Sequence, residues 1–147
     1  MAQEDKELLL KDLSARLPYG VKCTWFIGCI DTLNRVDYIG ELIDICKVIR
    51  TDGYTYWDCY FHNSEDEDDY GYSEIPIEIV KPYLRPMSSM TEEENLEFLK
   101  TCKYGNASLL TLETYDWLNA HHFDYRGLIE KGLALLAPEG MYDVNEK

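Results

Sequence analysis

This chain of 147 residues has no run approaching the ~20 consecutive apolar residues that a membrane-spanning helix requires, so nothing in it points into a bilayer. Its start, Gln3-Glu4-Asp5-Lys6-Glu7, is charged and leads into only three consecutive leucines, which is not the pattern of a signal peptide. The expected compartment is the cytoplasm. The five cysteines (23, 29, 46, 59 and 102) are odd in number and contain no CxxC pair, which argues against a disulfide scaffold and a zinc ribbon. They read as small buried residues in a reducing compartment. Also missing are a GxSxG elbow, a Walker loop and a dinucleotide fingerprint, so the usual signatures of serine hydrolases and phosphate-binding enzymes are absent.

Positive charge is scarce. Lysine and arginine number 14 against 28 acids, for a net charge of −14, and residues 51–80 hold nine acids with no lysine or arginine. A surface this negative repels nucleic acid and anionic membrane, so neither is an expected partner. A basic protein is the partner that the charge favours.

What is present reads as helix, then strands, then helices. Leu8, Leu9, Leu13 and Leu17 recur near helical spacing, and Pro18 and Gly20 end the pattern. From Val21 the composition becomes β-rich, with Val21, Cys23, Trp25, Ile27 and Cys29 on one face. Asp52-Gly53 lies between two runs rich in β-branched and aromatic residues, the signature of a two-residue type I′ hairpin. That turn would set Val48 opposite Trp57, Ile49 opposite Tyr56, Ile45 opposite Tyr60, Lys47 opposite Asp58 and Cys46 opposite Cys59. The cysteine pair could then form a bridge or pack as two reduced thiols. Ile75 to Val80 reads as a further short strand, and Thr91-Glu92-Glu93-Glu94 as a capping box opening a helix through about Cys102. Thr114 can cap a helix through about His122. Asp124 can cap a last helix carrying Leu128, Ile129, Leu133 and Leu136. The expectation is one α+β domain over residues 1–147 with a frayed tail after Tyr142. A small antiparallel sheet of about four strands, which could curl into a half-barrel, would pack with an N-terminal helix and two or three C-terminal helices.

Two segments carry candidate chemistry. Asn63 to Tyr72 is polar and includes five consecutive acids, Glu65 to Asp69. Read as an EF-hand loop from Asp66, it has Asp68 and Gly71 in place but puts Tyr70 at position five and Ile77 where the bidentate glutamate belongs, so that template fails. The run suits a solvated loop or an electrostatic contact for a basic partner, with Asp66, Glu67, Asp68, Asp69, Tyr70 and Tyr72 as contact residues. The second segment, Asp116 to Gly127, holds His121, His122, Asp124 and Arg126. Adjacent histidines on a helix diverge by ~100°, so these two are poorly placed to share a metal ion. One of them packing into a helix corner, bonded to a carbonyl or to Asp124, while the other faces water, is the simpler reading. No metal or cofactor is expected.

The phrases Ile75 to Glu94 and Asp116 to Leu135 resemble an uncharacterised family of short proteins common in Bacteroides-type gut bacteria and in their phages and mobile elements, and Lys6 to Pro18 adds a weaker likeness. The resemblance implies a cytoplasmic accessory protein and brings no catalytic residues. The favoured function is therefore a non-enzymatic acidic interaction protein that binds a basic partner. The alternative is a small metal- or small-molecule-dependent enzyme built on His121, His122 and Asp124.

Overall fold

A computed structural model describes residues 1–27, 36–62 and 72–142. The fold is α+β, with helices α1 (Gln3–Arg16), α2 (Glu92–Thr101) and α3 (Leu112–Ala120). Its strands are β1 (Lys22–Ile27), β2 (Val36–Ile49), β3 (Thr55–His62), β4 (Tyr72–Pro76), β5 (Lys81–Leu84) and β6 (Leu135–Leu136). Six described strands replace the expected four or so, because β5 and β6 are too short to show a period in the sequence. The chain divides into two compact units, Met1–Pro82 and Tyr83–Lys147.

In the first unit β4, β3, β2, β1 and the start of β5 pair in that order, all antiparallel. Helix α1 forms where the leucine spacing places it, and a 3-10 turn over Leu17–Tyr19 ends at Gly20, whose φ is 69°. Leu9 and Leu13 are buried, and so are Asp12 and Arg16 beside them. Arg16 satisfies the carboxylate one turn back: Nε donates to Oδ2 of Asp12 at 2.8 Å and Nη2 to Oδ1 at 3.1 Å. A charge pair without solvent is tolerated in such geometry because each charge offsets the other's desolvation. Lys6 also pairs with Glu78 at 2.7 Å, tying α1 to the turn that follows β4.

The expected face of β1 is largely observed: Val21, Cys23 and Trp25 are buried, whereas Ile27 is 47% exposed. Cys29 and the run Asn63 to Tyr70 lie outside the described residues. Trp25 stacks on Phe61 with ring centroids 4.1 Å apart. It can do so because Gly40, paired with Cys23, leaves room: a β-carbon there would stand 2.8 Å from the His62 carbonyl and 2.9 Å from the Trp25 ring.

The hairpin forms at the expected place but one residue out of the expected register. Val48 faces Tyr56, Lys47 faces Trp57, Ile45 faces Cys59 and Cys46 faces Asp58. Arg50 N donates to Tyr54 O at 2.8 Å and Gly53 N to Arg50 O at 3.0 Å, so the loop holds an extra residue and Gly53 takes the left-handed position at φ 88°. This is a type I turn followed by a glycine bulge, not a two-residue turn. Because side chains alternate, the one-residue shift moves Cys46 off the Cys59 face. Both are free thiols, as are Cys23 and Cys102. The segment read as a strand from Ile75 to Val80 is strand only through Pro76, after which Ile77–Ile79 turns as a 3-10 helix.

In the second unit the Thr91–Glu94 capping box opens α2 as expected. Helix α3 starts earlier than its expected cap: Thr111 is the N-cap, and Thr114 occupies the third helical position, where its hydroxyl accepts from the Thr111 amide. The last expected helix does not form. Both Gly127 and Gly132 adopt φ 74°, so the segment turns instead and then runs into β6, which pairs in parallel with the end of β5. No described helix is long and apolar enough to cross a membrane.

Gly40→Ala should lower stability by about 1–3 kcal/mol, since neither a carbonyl nor a packed indole can yield freely. Gly53→Ala, which meets open space, should cost only the left-handed strain of about 1–2 kcal/mol. Urea denaturation of both variants checks the pair, and an unchanged midpoint for Gly40→Ala would contradict the packing described.

Candidate functional site

The second unit contains a cleft of about 760 Å³ bordered by Arg85, Glu94, Glu97, His121, Pro138 and Tyr142. Its geometry is built from the capping box outward. Glu94 N donates to Thr91 Oγ1 and Thr91 N to Glu94 Oε1, each at 3.1 Å, which pins the Glu94 carboxylate at the start of α2. Arg85 meets that carboxylate with two parallel bonds, Nη1 to Oε2 at 2.8 Å and Nη2 to Oε1 at 2.7 Å. The guanidinium also lies 4.2 Å from the centre of the Phe123 ring. The Arg85 backbone is held on both sides, donating to His122 O and accepting from Asp124 N at 2.8 Å each. The Arg85 bond holds the Glu94 carboxyl below its usual range, against the opposing effect of burial.

Beneath this frame sits a core of Phe98, Cys102, Leu118 and Phe123, with Trp117 and Tyr125 packed against it. His121 caps the end of α3 and stacks on Trp117 at 4.1 Å between centroids. Its Nδ1 lies 2.8 Å from the Trp117 carbonyl. A carbonyl only accepts, so Nδ1 carries the proton and the neutral ring keeps an acceptor at Nε2. That nitrogen is 4.0 Å from Oε2 of Glu97.

The sequence candidates separate at this point. His122 takes φ 60°, is buried, and stacks on Tyr142 at 3.9 Å, while the Tyr142 hydroxyl donates to Tyr83 O. The histidine bonded to a carbonyl is therefore His121, but the other does not face water as expected: His122 is buried against Tyr142. Asp124 caps the following turn, accepting from Leu128 N and Ile129 N at 2.9 Å each. Arg126 lies over the Tyr125 ring at 4.7 Å. Of these four residues, only His121 borders the cleft. Asp66, Glu67, Asp68, Asp69 and Tyr70 lie outside the described residues, and the Tyr72 backbone begins β4, paired with Phe61. Sequence reasoning missed Arg85 and Glu97. Glu94 was within reach of it through its capping role, but no spacing connects Arg85 to it.

Among the described residues no group of three or more histidine, cysteine or acidic side chains could hold a metal ion. Two of the thiols are poor nucleophiles: burial, then Asp58 and Glu78, push Cys59 up to about 12, and burial raises Cys23 well above its ordinary value. Comparison with family models, with curated proteins and with solved structures yields no match.

Glu94→Gln should cost about 1.5–3 kcal/mol at pH 7, the range for hydrogen bonds to a charged partner. A carboxyl whose folded pKa is depressed contributes stability above its ordinary value of 4.5, and that contribution fades as pH falls through the lower folded value. Urea denaturation of wild type and variant from pH 7 to pH 3 should show the two curves converging at the acid end, and a constant gap would contradict the ion pair.

Proposed function

We propose that this chain is a non-enzymatic acidic interaction protein that binds a basic protein partner in the cytoplasm, in keeping with the phage or mobile-element setting that its sequence resemblance implies. One observation carries the reading. Alternation along β1 to β3 places Phe26, Ile39, Val48, Tyr56 and Tyr60 on the sheet face opposite buried Trp25 and Phe61. Ile39 is 50% exposed, and the other four are partly exposed. Asp37, Glu41, Asp44, Asp58 and Glu74 share that face by the same alternation.

The charges there act on one another. Burial, then Glu74 and Glu78, raise the Asp58 carboxyl, and burial followed by Cys46, Glu74, Asp58 and Asp44 raises the Tyr60 hydroxyl. A basic partner relieves this repulsion while covering the aromatic and aliphatic side chains, and long-range attraction speeds the encounter. The acidic run Asp66 to Asp69, with Tyr70 and Tyr72, adds further negative charge and aromatic contact residues in the sequence between β3 and β4. Binding is favoured over catalysis because His121, His122 and Asp124 each have a different packing or bonding partner and do not converge on one point.

The test is capture from lysate of a Bacteroides-type host. The wild-type chain should retain a basic protein whose recovery falls as salt rises. A variant carrying Asp66→Asn, Glu67→Gln, Asp68→Asn and Asp69→Asn should lose much of it, as should the pair Asp37→Asn with Asp44→Asn. Recovery that is unchanged in both variants would refute the proposal.

A further inference from the structure

The cleft of the second unit has a feature that the protein-partner reading does not use. His121 Nε2 and Glu97 Oε2 are 4.0 Å apart, and both residues border the open space. With Nδ1 committed to the Trp117 carbonyl, both facing atoms are acceptors when the ring is neutral. Two acceptors at this separation lie within reach of a single donor nitrogen, since each N–H···O or N–H···N arm spans about 2.9 Å. Without such a donor the carboxylate charge and the imidazole lone pair repel one another.

The lining defines what the donor belongs to. Arg85, the cation of the cleft, is neutralised by Glu94, to which it donates two bonds, while Glu93, Glu97 and Glu139 border the space as further acids. An anion is thereby disfavoured. A transition-metal ion is also a poor fit, because it takes three or four protein ligands and only Glu97 and His121 meet here. Pro86, Pro138 and Tyr142 supply carbon surface along the same walls, suited to a methylene chain. The volume of about 760 Å³ lies within the range of small-molecule sites and exceeds what a bare ammonium ion fills.

We propose that this cleft binds a primary alkylammonium group, its N–H donors shared between His121 Nε2 and the Glu97 carboxylate and its carbon chain lying along Pro86, Pro138 and Tyr142. The group has two natural sources, a free linear diamine or a lysine side chain, and both present the same donor to the same acceptors. The cleft is lined by residues of the second unit alone, so it is tested without any protein partner.

The experiment is titration of the full chain, labelled with nitrogen-15 on histidine, by 1,4-diaminobutane, by a short neutral-capped lysine peptide, and by tetramethylammonium, which has the charge but no N–H. Calorimetry reads affinity, and the His121 Nε2 resonance reports the contact. Either amine should bind and shift that resonance, with the tighter of the two identifying the source. Tetramethylammonium should bind about tenfold more weakly, the loss expected when a charge-assisted hydrogen bond is missing. Glu97→Gln should weaken the amines by about tenfold as well; its side chain is 56% exposed, so the fold is spared. Glu113→Gln makes the same charge change at an exposed α3 position outside the cleft and should leave binding unchanged. The proposal is overturned if neither amine shifts His121, if tetramethylammonium binds as well as they do, or if Glu113→Gln weakens binding as much as Glu97→Gln.

Discussion

The second unit depends on one ion pair. Arg85 and Glu94 meet in two parallel bonds of 2.8 and 2.7 Å, with side chains only 20% and 12% exposed. An exposed pair of long side chains gains little, because water screens it and holding both ends costs entropy. Here the cost is largely met in advance. Glu94 is already held by the capping box of α2, and Arg85 by backbone bonds to the 122–124 segment and by the Phe123 ring. The pair thus ties three separate stretches of chain: the exit of β5, the first turn of α2 and the corner after α3. Those stretches are also the walls of the cleft. The acceptors at Glu97 and His121 keep their spacing because both are carried on helices whose ends this pair secures.

The first unit solves a similar problem with less solvent. Asp12 and Arg16 are fully buried and bonded to each other one turn apart, so the buried face of α1 carries its own neutral charge pair among leucines. Their presence explains why α1 was legible from its leucines and yet appears only weakly amphipathic in composition: two of its four buried positions are ionic. The sheet in turn depends on a gap at Gly40 that admits the Trp25 ring against Phe61.

How far the residues announced this fold varies with the kind of signal. Thr91 and Glu94 were readable because a capping box needs only two side chains at a fixed spacing. The hairpin was readable in place but not in register. Asp52-Gly53 suits both a two-residue turn and a type I turn with a glycine bulge, and Ile49, Val48, Tyr56 and Trp57 are apolar or aromatic at consecutive positions, so either register fills its cross-strand pairs. The segment after Asp124 misled because Leu128, Ile129, Leu133 and Leu136 have helical spacing. Only the backbone reveals that Gly127 and Gly132 both turn left-handed and that Asp124 spends both oxygens on the turn. At the site, the density of side chains around His121 was visible. Their separation was not, because it follows from the positive φ of His122, which sends one imidazole to Trp117 and the other to Tyr142. Arg85 was invisible for a different reason: its partner lies nine residues on, across a turn and a helix start, a separation that no periodicity encodes.

The central claim, that the Arg85–Glu94 pair holds the cleft together, is tested most directly by a double-mutant cycle. Stability of wild type, Arg85→Met, Glu94→Gln and the double variant would be measured by urea denaturation at pH 7. Residues joined in one bonded network should give a coupling energy of about 1–3 kcal/mol, with the double variant losing far less than the sum of the single losses. Single losses that add to within about 0.5 kcal/mol would mean that the two side chains act independently. That result would contradict the account.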